Sequence, residues 1–430
     1  MIRLWHLAPA AWLGLCLPAA AHAQAQASQA CVGLAQAITL ATSSDPRIGR
    51  ADAAMDRARA QVRIERAGAR PQLSAFVRSG VGDGNGVQVD NEFDNRVGVR
   101  VSQRLFSFGR TRLAIDAAQL RADGEREGIR GTRLAVASDV GQRYLGIARA
   151  TEKVAAAITM IDYYARDSEQ VGRRLQAGLL KQSEASGIRA EAARARARAA
   201  EERLRVEQER TALETLIGQP AACILPNGSD MIAQMPQPPG LADALAEAEQ
   251  RSPALAARAA EAAAARLDRT REARRGLPDV GVSGASALDF NRSPGGLDRV
   301  SRVGIDVTAP LYQGGQINGR RDAAAAQARL LDFELAAEQR DLANEVSIAW
   351  LRIRDLAPVA ELNRETLAAL REQAAAVERE YENGLVTLTD LIEIRRNEYN
   401  GRLAEIDARY DVTFERLRLL RLTGRLLNEE

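Results

Sequence analysis

The segment Leu105-Phe106-Ser107-Phe108-Gly109 recurs as Leu311-Tyr312-Gln313-Gly314-Gly315, an offset of 206 residues between its closing glycines (315 − 109). The same offset relates Gly178-Leu179 to Gly384-Leu385. Closer to the N-terminus the offset changes by a single residue, which places one insertion between the two copies. A self-similarity of this length indicates that one structural unit has been duplicated within the chain.

Ahead of each copy of this segment, apolar and polar residues alternate with a period of two. Leu73, Ala75 and Val77 alternate with polar or aromatic neighbours, and the second unit repeats the pattern at Val303, Ile305 and Val307. Alternation of this kind predicts a β-hairpin with one apolar face. We expect the hairpins at about 71–106 and about 278–312, with a loop at 291–296 in the second one.

Very long helical segments follow the two closing glycines. No proline occurs between Arg110 and Leu175, and the composition is rich in Ala, Arg and Glu. A helix of that length would extend on the order of 100 Å. Gly178 is expected to break it, and a shorter helix should return to about Ile217. The preceding stretch, about 34–70, is predicted to be mostly helical and to end at Pro71.

The first residues carry the pattern of a secretory signal. One early charge, Arg3, precedes an apolar run that ends before Ala21-His22-Ala23. A short positive region, a brief apolar stretch and an A-x-A site predict a signal peptide over 1–23. The alternative is a transmembrane anchor, which needs about 20 unbroken apolar residues. We therefore predict a chain that is exported to the cell envelope.

The composition excludes several classes of function. The chain has 59 Lys+Arg against 57 Asp+Glu, so no nucleic-acid partner is indicated. Its two histidines, His6 and His22, both lie in the predicted signal peptide. Without histidine the mature chain lacks the commonest general base and the commonest metal ligand. We predict no enzyme activity, no cofactor and no metal site, although chemistry based on carboxylates alone stays open.

Two hairpins cannot lie in a membrane by themselves. Their unpaired edges would face lipid, and four strands are fewer than the eight or so that close the smallest barrels. If the strands insert, several chains must contribute to one barrel. The alternative is that the hairpins pack on something in the periplasm.

The ordered set of these features resembles the TolC family of outer-membrane efflux and secretion ducts. The resemblance covers nearly all of the mature chain and implies a mainly α fold with a small β part. It implies a homotrimer, in which a twelve-stranded outer-membrane β-barrel continues into a long periplasmic α-helical barrel. The implied division is a signal peptide (1–23), a first repeat (24–221, tip about 175–185), a linker (222–240) and a second repeat (241–430, tip about 381–391).

The resemblance also carries site residues onto the two tips. Gly178, Leu179, Gly384 and Leu385 match turns that adaptor proteins grip, although a glycine there also simply ends a helix. Asp390 and Glu393 lie three residues apart at the start of a helix, on one face. Repeated in three copies, they would form an acidic ring at the tunnel entrance. The alternative is that they are ordinary partners of the helix dipole.

Three further residues concern closure of the entrance. Glu184 and Tyr381 match positions that help to hold it closed in the family. Where some members carry an arginine that bridges to a carboxylate, this chain has Val386. Lys181 is the candidate that would supply the charge instead.

Cys31 and Cys223 remain after removal of the signal peptide. In the oxidising periplasm they are candidates for a disulfide, with two free thiols as the alternative.

The function implied is a passive exit duct that serves an inner-membrane RND or ABC transporter through a periplasmic adaptor protein. The rival interpretations are a periplasmic coiled-coil adaptor and a carboxylate-dependent hydrolase of the envelope. Duplication of the whole chain disfavours the adaptor. The cargo is not indicated by the sequence.

Overall fold

The computed structural model describes residues 31–79, 81–83, 91–93, 96–178, 180–220, 235–293 and 296–427. The predicted signal peptide and most of the predicted linker lie outside these ranges. The elements of the first repeat are α1 (Leu34–Ser44), α2 (Pro46–Ala67), β1 (Gln72–Arg78), β2 (Val81–Asp83), β3 (Asn91–Phe93), β4 (Arg96–Phe106), α3 (Arg110–Gln176) and α4 (Gln182–Ile217). Those of the second are α5 (Leu241–Arg251), α6 (Pro253–Ala273), β5 (Asp279–Ser293), β6 (Gly296–Thr308), α7 (Gln316–Glu382) and α8 (Leu388–Leu422).

The helix boundaries follow from local chemistry. Pro46 and Pro253 are the first residues of α2 and α6, where the missing N–H of proline costs no hydrogen bond. The side chains before them act as N-caps: the Asp45 carboxylate accepts from the N–H of Arg47, and the Ser252 hydroxyl accepts from that of Leu255. The prediction that Pro71 ends the first helical stretch is slightly wrong, because α2 already ends at Ala67.

The two longest helices, α3 and α7, contain 67 residues each, so each is about 100 Å long. Both begin after a glycine in the left-handed region, Gly109 (φ 78°) and Gly315 (φ 83°), the closing residues of the repeated segment. Helix α7 continues through Pro358. Among the described residues, no helix has the length and apolar character needed to cross a bilayer.

Because α3 and α7 run the whole length of the helical part, they pack with different partners in its two halves. Near the strands, the neighbours follow the order α2, α3, α6, α7; near the tips, the order is α4, α3, α8, α7. Alanine is the commonest residue in the core between the tip-side helices, which also contains four tyrosines. Alanine lets helix axes approach closely, which suits long helices packed side by side.

A polar network joins the repeats where α3 packs against α8. The Lys153 ammonium, which is buried, lies 2.6 Å from an oxygen of Asp407, and the Arg149 guanidinium reaches the same carboxylate. One turn away, the Tyr410 hydroxyl donates to Glu152 (2.7 Å), which also pairs with Arg409. These charges are paired and hydrogen-bonded, as buried charges must be.

The strands form a four-stranded antiparallel sheet in the order β1-β4-β5-β6. The central pairing, β4 with β5, joins the two repeats. Gly98 lies at this pairing, where an added Cβ would come within 2.5 Å of the Ser286 carbonyl oxygen, so only glycine fits. The predicted loop at 291–296 is wrong at 291–293 and at 296, because β5 extends to Ser293 and β6 begins at Gly296; residues 294–295 lie outside the described ranges.

Candidate functional site

The candidate site lies at the two helical tips, where α3 turns into α4 and α7 turns into α8. At the first tip, Gly178 adopts φ 71° and its N–H donates to the Leu175 carbonyl (3.0 Å). The Glu184 carboxylate accepts from the backbone N–H of Lys181 (3.1 Å). This bond is one half of a capping box. The other half is missing, because a lysine side chain has only donors and cannot accept a hydrogen bond from the backbone N–H of Glu184. Leu179 lies outside the described residues.

The second tip is closed more completely. Gly384 adopts φ 75°, and the N–H of Leu385 donates to the carbonyl of Glu380 (2.8 Å), the six-residue bond of a Schellman motif. The Thr387 hydroxyl accepts from the N–H of Asp390 (3.3 Å), and the Asp390 carboxylate accepts from the N–H of Thr387 (2.8 Å). This reciprocal pair is a complete capping box.

The two predicted entrance carboxylates have different surroundings. The carboxylate of Asp390 also accepts from the Thr387 hydroxyl (2.7 Å), and these bonds from Thr387 hold the pKa of Asp390 below its ordinary value. The side chain of Glu393, one turn further along α8, is exposed. Asp390 therefore stabilises its own helix, and Glu393 presents its charge to solvent.

Tyr381 is buried near the end of α7, with 4% of its surface exposed. The Arg174 guanidinium lies over its ring, 4.7 Å from the centroid. Burial raises the pKa of the Tyr381 phenol. Within the part of the chain that the structure describes, the phenol oxygen has no hydrogen-bond partner. Tyr381 therefore holds α7 against α3 through packing and the cation–π contact.

The remaining closure candidates lie at the edge of this packing. Val386 is half-buried and packs against the tip-side core. Lys181 is exposed, and it makes no ion pair with any carboxylate in the described ranges. Lys181 thus does not supply a bridge in place of the missing arginine in this single chain.

Sequence reasoning missed a buried charged cluster between the tips. Arg395 on α8 is only 3% exposed, pairs with Glu378 (2.7 Å) and stacks over the Tyr163 ring at 3.9 Å from its centroid. Beside it, burial raises the pKa of the Asp167 carboxyl, and Arg395 opposes that rise. No local signal distinguishes Arg395 from the many exposed arginines, because its burial depends on α3.

Two further predictions concern cysteines and metals. Cys31 is disulfide-bonded. Cys223 lies outside the described residues, so the pairing of the two stays a prediction. In the described ranges, no group of three or more His, Cys, Asp or Glu side chains could hold a metal ion.

The comparisons with known proteins agree with this architecture. The family model described as outer membrane efflux protein matches residues 37–219 and 244–425, one match in each repeat. The outer membrane efflux protein BepC of Brucella suis biovar 1 (strain 1330) is 23% identical over 386 residues, covering 86% of this chain and 80% of BepC.

Solved channel structures have the same fold. CusC superposes with a TM-score of 0.81 at 18% identity and 91% coverage of both chains. The open state of the Neisseria gonorrhoeae outer membrane channel MtrE superposes with a TM-score of 0.79 at 19% identity, covering 92% of this chain and 90% of MtrE. Both halves of the duplication are thus accounted for by one family, and the chain belongs to the outer membrane efflux protein family, whose members are non-enzymatic channels of the outer membrane with a large periplasmic helical part.

Proposed function

We propose that three copies of this chain form the exit duct of a tripartite efflux pump. The observation that carries the proposal is the pair of open edges on a sheet with one apolar face. Strands β1 and β6 each have a free edge in the single chain. In lipid such an edge leaves backbone N–H and C=O groups without partners, and closure of the sheet removes it. Three copies would supply twelve strands.

The apolar face of the sheet supports insertion into lipid. On β6, Val303, Ile305 and Val307 are 81%, 72% and 66% exposed in the single chain. Leu73 and Val77 on β1 are exposed on the same face. Charged side chains on a lipid-facing surface cost about 2–4 kcal/mol each at the bilayer midplane. Arg299, on the part of β6 next to the hairpin turn, is the one charged residue of this face among the described paired positions, and the other charges of the sheet lie on the opposite face. The apolar face therefore faces lipid, and the charged face of the sheet faces the lumen.

The helical part has open edges in the same places. On the tip side, α4 and α7 are the outer helices of the layer, and each packs on one long neighbour. They carry exposed apolar side chains, including Leu204 on α4 and Leu362 (59% exposed) on α7. Burial of these side chains between copies would stabilise a closed ring of helices.

The tips are proposed as the entrance and as the contact with the pump. Glu393, with Asp390, would line the entrance of the trimer with negative charge. Gly384 and Leu385, with Gly178 and Leu179 of the first tip, would contact a periplasmic adaptor protein. Leu385 is 74% exposed, so it offers an apolar side chain to a partner. The inner-membrane pump would be an RND or an ABC transporter.

The first test measures the mass of the purified protein in detergent and its conductance in planar bilayers. A trimer with discrete, cation-selective openings is expected. A monomer that neither inserts nor conducts would overturn the duct and favour a soluble adaptor.

A second test compares Glu393→Ala with Asp390→Ala in the same bilayers. Because the Asp390 carboxylate is directed at Thr387, cation selectivity should fall further in Glu393→Ala. An unchanged selectivity in both variants would remove the acidic ring from the proposal.

The adaptor contact is tested by Leu385→Asp in cells. Export should be lost while the trimer and its conductance in bilayers persist, because the exposed Leu385 side chain lies at the tip, far from the sheet. Normal export by the variant would place the adaptor contact elsewhere.

A further inference from the structure

The charged face of the four-stranded sheet carries one level of uncompensated positive charge. Residues that pair directly with one another form a row across the four strands, and each such row is called a level here. The register of the four strands defines the levels. At the level of Arg96, the partners are Arg78, Asp289 and Asp298, so the formal charges balance. Arg96 also bonds Asp289 directly (3.0 Å).

Two other levels of this face carry a net charge: the level of Asp279 and Thr308 is negative, with Asp279 paired to Arg110 of α3, and one level is positive. Arg104 shares its level with Asp306 across Gly281, so these charges cancel. At the positive level, Ser74, Arg100, Ala285 and Arg302 lie side by side, and two cations have no acidic counterpart. Each chain thus contributes a net charge of +2 at this level, which is the only net positive level among the described paired positions of this face.

Both arginines of this level are accessible. The side chains of Arg100 and Arg302 are exposed, and neither forms an ion pair with a described carboxylate. The guanidinium of Arg100 lies 5.2 Å from the centroid of the Phe76 ring, which is on the same face one level away. This contact orients the guanidinium and leaves its N–H donors available to a ligand.

The space between the arginines suits an anion. They lie two strands apart, which places their backbones roughly 10 Å from each other. The intervening positions on β5 are small: Ser283, Ala285 and Ala287. Guanidinium groups bind phosphate and carboxylate oxygens in pairs of parallel hydrogen bonds, and rings of such cations line anion-conducting pores.

We propose that Arg100 and Arg302 of three copies form a ring of six guanidinium groups inside the β-barrel, which binds multivalent oxyanions. This inference rests on the trimeric duct, because only closure of the sheet makes its charged face a lumen. The separation of neighbouring arginines is comparable to the screening length of about 10 Å at 0.1 M salt, so their fields overlap. The exit would thus attract anionic groups, in contrast to the acidic entrance at the tips.

The test uses inorganic tripolyphosphate, added to the barrel side of single channels in planar bilayers. In the wild type it should block the current in a voltage-dependent manner. In Arg100→Gln/Arg302→Gln the concentration for half-block should rise at least tenfold. Arg100→Lys/Arg302→Lys keeps the charge and should retain most of the block.

Arg299→Gln is the matched control. Arg299 lies on the same hairpin but at an alternate position, opposite Leu288, so it belongs to the apolar face. The loss of one positive charge there should leave the block unchanged. An equal block in wild type and double variant would overturn the proposal, and so would an equal loss in Arg299→Gln.

Isothermal titration of tripolyphosphate into the detergent-solubilised protein separates this inference from the duct itself. Binding by the wild type and its loss in the double variant would support the anion site, even if no channel opened. Absence of binding by a trimer that conducts would overturn the anion site and leave the duct intact. Single variants, with half the charge removed, should bind with intermediate affinity.

Discussion

The two tips derive from one duplicated unit, and they differ in how firmly they are fastened. An offset of 206 residues relates Gly178 to Gly384, and both adopt a left-handed conformation. The same offset relates Lys181 to Thr387 and Glu184 to Asp390. Only the second tip has a side chain that can cap its helix, so only there is the capping box complete.

The difference extends one turn further, to Arg189 and Arg395. The two occupy equivalent positions of α4 and α8. Arg189 is exposed and bonds a carbonyl of its own helix, whereas Arg395 is buried against Tyr163 of the other repeat. The duplication therefore kept the turn in both copies but made only the second tip a part of the interior. The second tip should accordingly be the more stable of the two.

The largest expected effect separates the two arginines. Arg395→Ala removes a buried cation–π contact and the packing of a buried side chain, so the free energy of local opening of α8 should fall by about 2–3 kcal/mol. Arg189→Ala, at an exposed position, should change that of α4 by less than about 0.5 kcal/mol. Hydrogen exchange of amides in the first three turns of each helix measures both values.

Arg395→Lys is the accompanying control, because it keeps the charge and loses the planar stacking. Its free energy of local opening of α8 should lie between that of the wild type and that of Arg395→Ala. Similar small losses in Arg395→Ala and Arg189→Ala would mean that the buried arginine does not stabilise the second tip.

The next effect concerns the helix caps. Thr387→Ala removes the hydroxyl that accepts a hydrogen bond from the backbone N–H of Asp390. This should lower the local stability of the first turn of α8 by about 1 kcal/mol. Lys181→Ala should leave the first turn of α4 unchanged, because the lysine side chain does not cap it. Thr387→Ser should behave as the wild type. Hydrogen exchange of the first-turn amides again provides the measurement. Equal losses of local stability in Thr387→Ala and Lys181→Ala would contradict the prediction that only the second tip is capped by a side chain.

A smaller effect is expected from acid. The bonds from Thr387 hold the pKa of Asp390 below its ordinary value of about 3.9. Because the folded-state pKa is the lower one, the stabilisation is complete above the unfolded value and is lost as the pH falls through the folded one. Exchange at the first turn of α8 should therefore rise, relative to intrinsic exchange, only below about pH 4. Asp390→Asn should remove this pH dependence, and its persistence would assign the titration to another group.

The smallest effect is expected at Tyr381, whose counterpart in the first repeat is Leu175. Because its phenol oxygen has no partner among the described residues, Tyr381→Phe should change local stability by less than about 0.5 kcal/mol. It should leave conductance in bilayers unchanged as well. A clear loss of stability, or channels that stay open, would show that the hydroxyl finds a partner in the assembled trimer.

Much of the fold is predictable from local patterns. The period-two stretches gave the strands, and the proline-free stretch from Arg110 gave a helix that ends at Gln176, one residue from its predicted limit. Helix α4 ends at Ile217 as predicted. The errors lie at 68–70, where the helix has already ended, and at 291–293 and 296, which belong to paired strands. The second error depends on how far the two strands pair, which their alternation alone does not show.

The candidate site was less predictable. The glycines of both tips were located correctly, because a left-handed turn needs glycine and the duplication shows it twice. The roles assigned to Asp390, Glu393, Glu184, Tyr381 and Lys181 stay predictions. Arg395 was missed because the equivalent residue of the first repeat, Arg189, is also an arginine at the same position of its helix, although it is exposed.

The sequence alone determined the duplication, because its two copies can be compared directly. It also determined the period of each element and the lengths of the longest helices, because these depend on residues close together in the chain. Only the tertiary structure decided which equivalent residues differ. It buries Arg395 and exposes Arg189, and it pairs β4 with β5 so that Arg100 and Arg302 share one level of the sheet. Such outcomes depend on contacts between residues that are more than a hundred positions apart, and no local pattern records them.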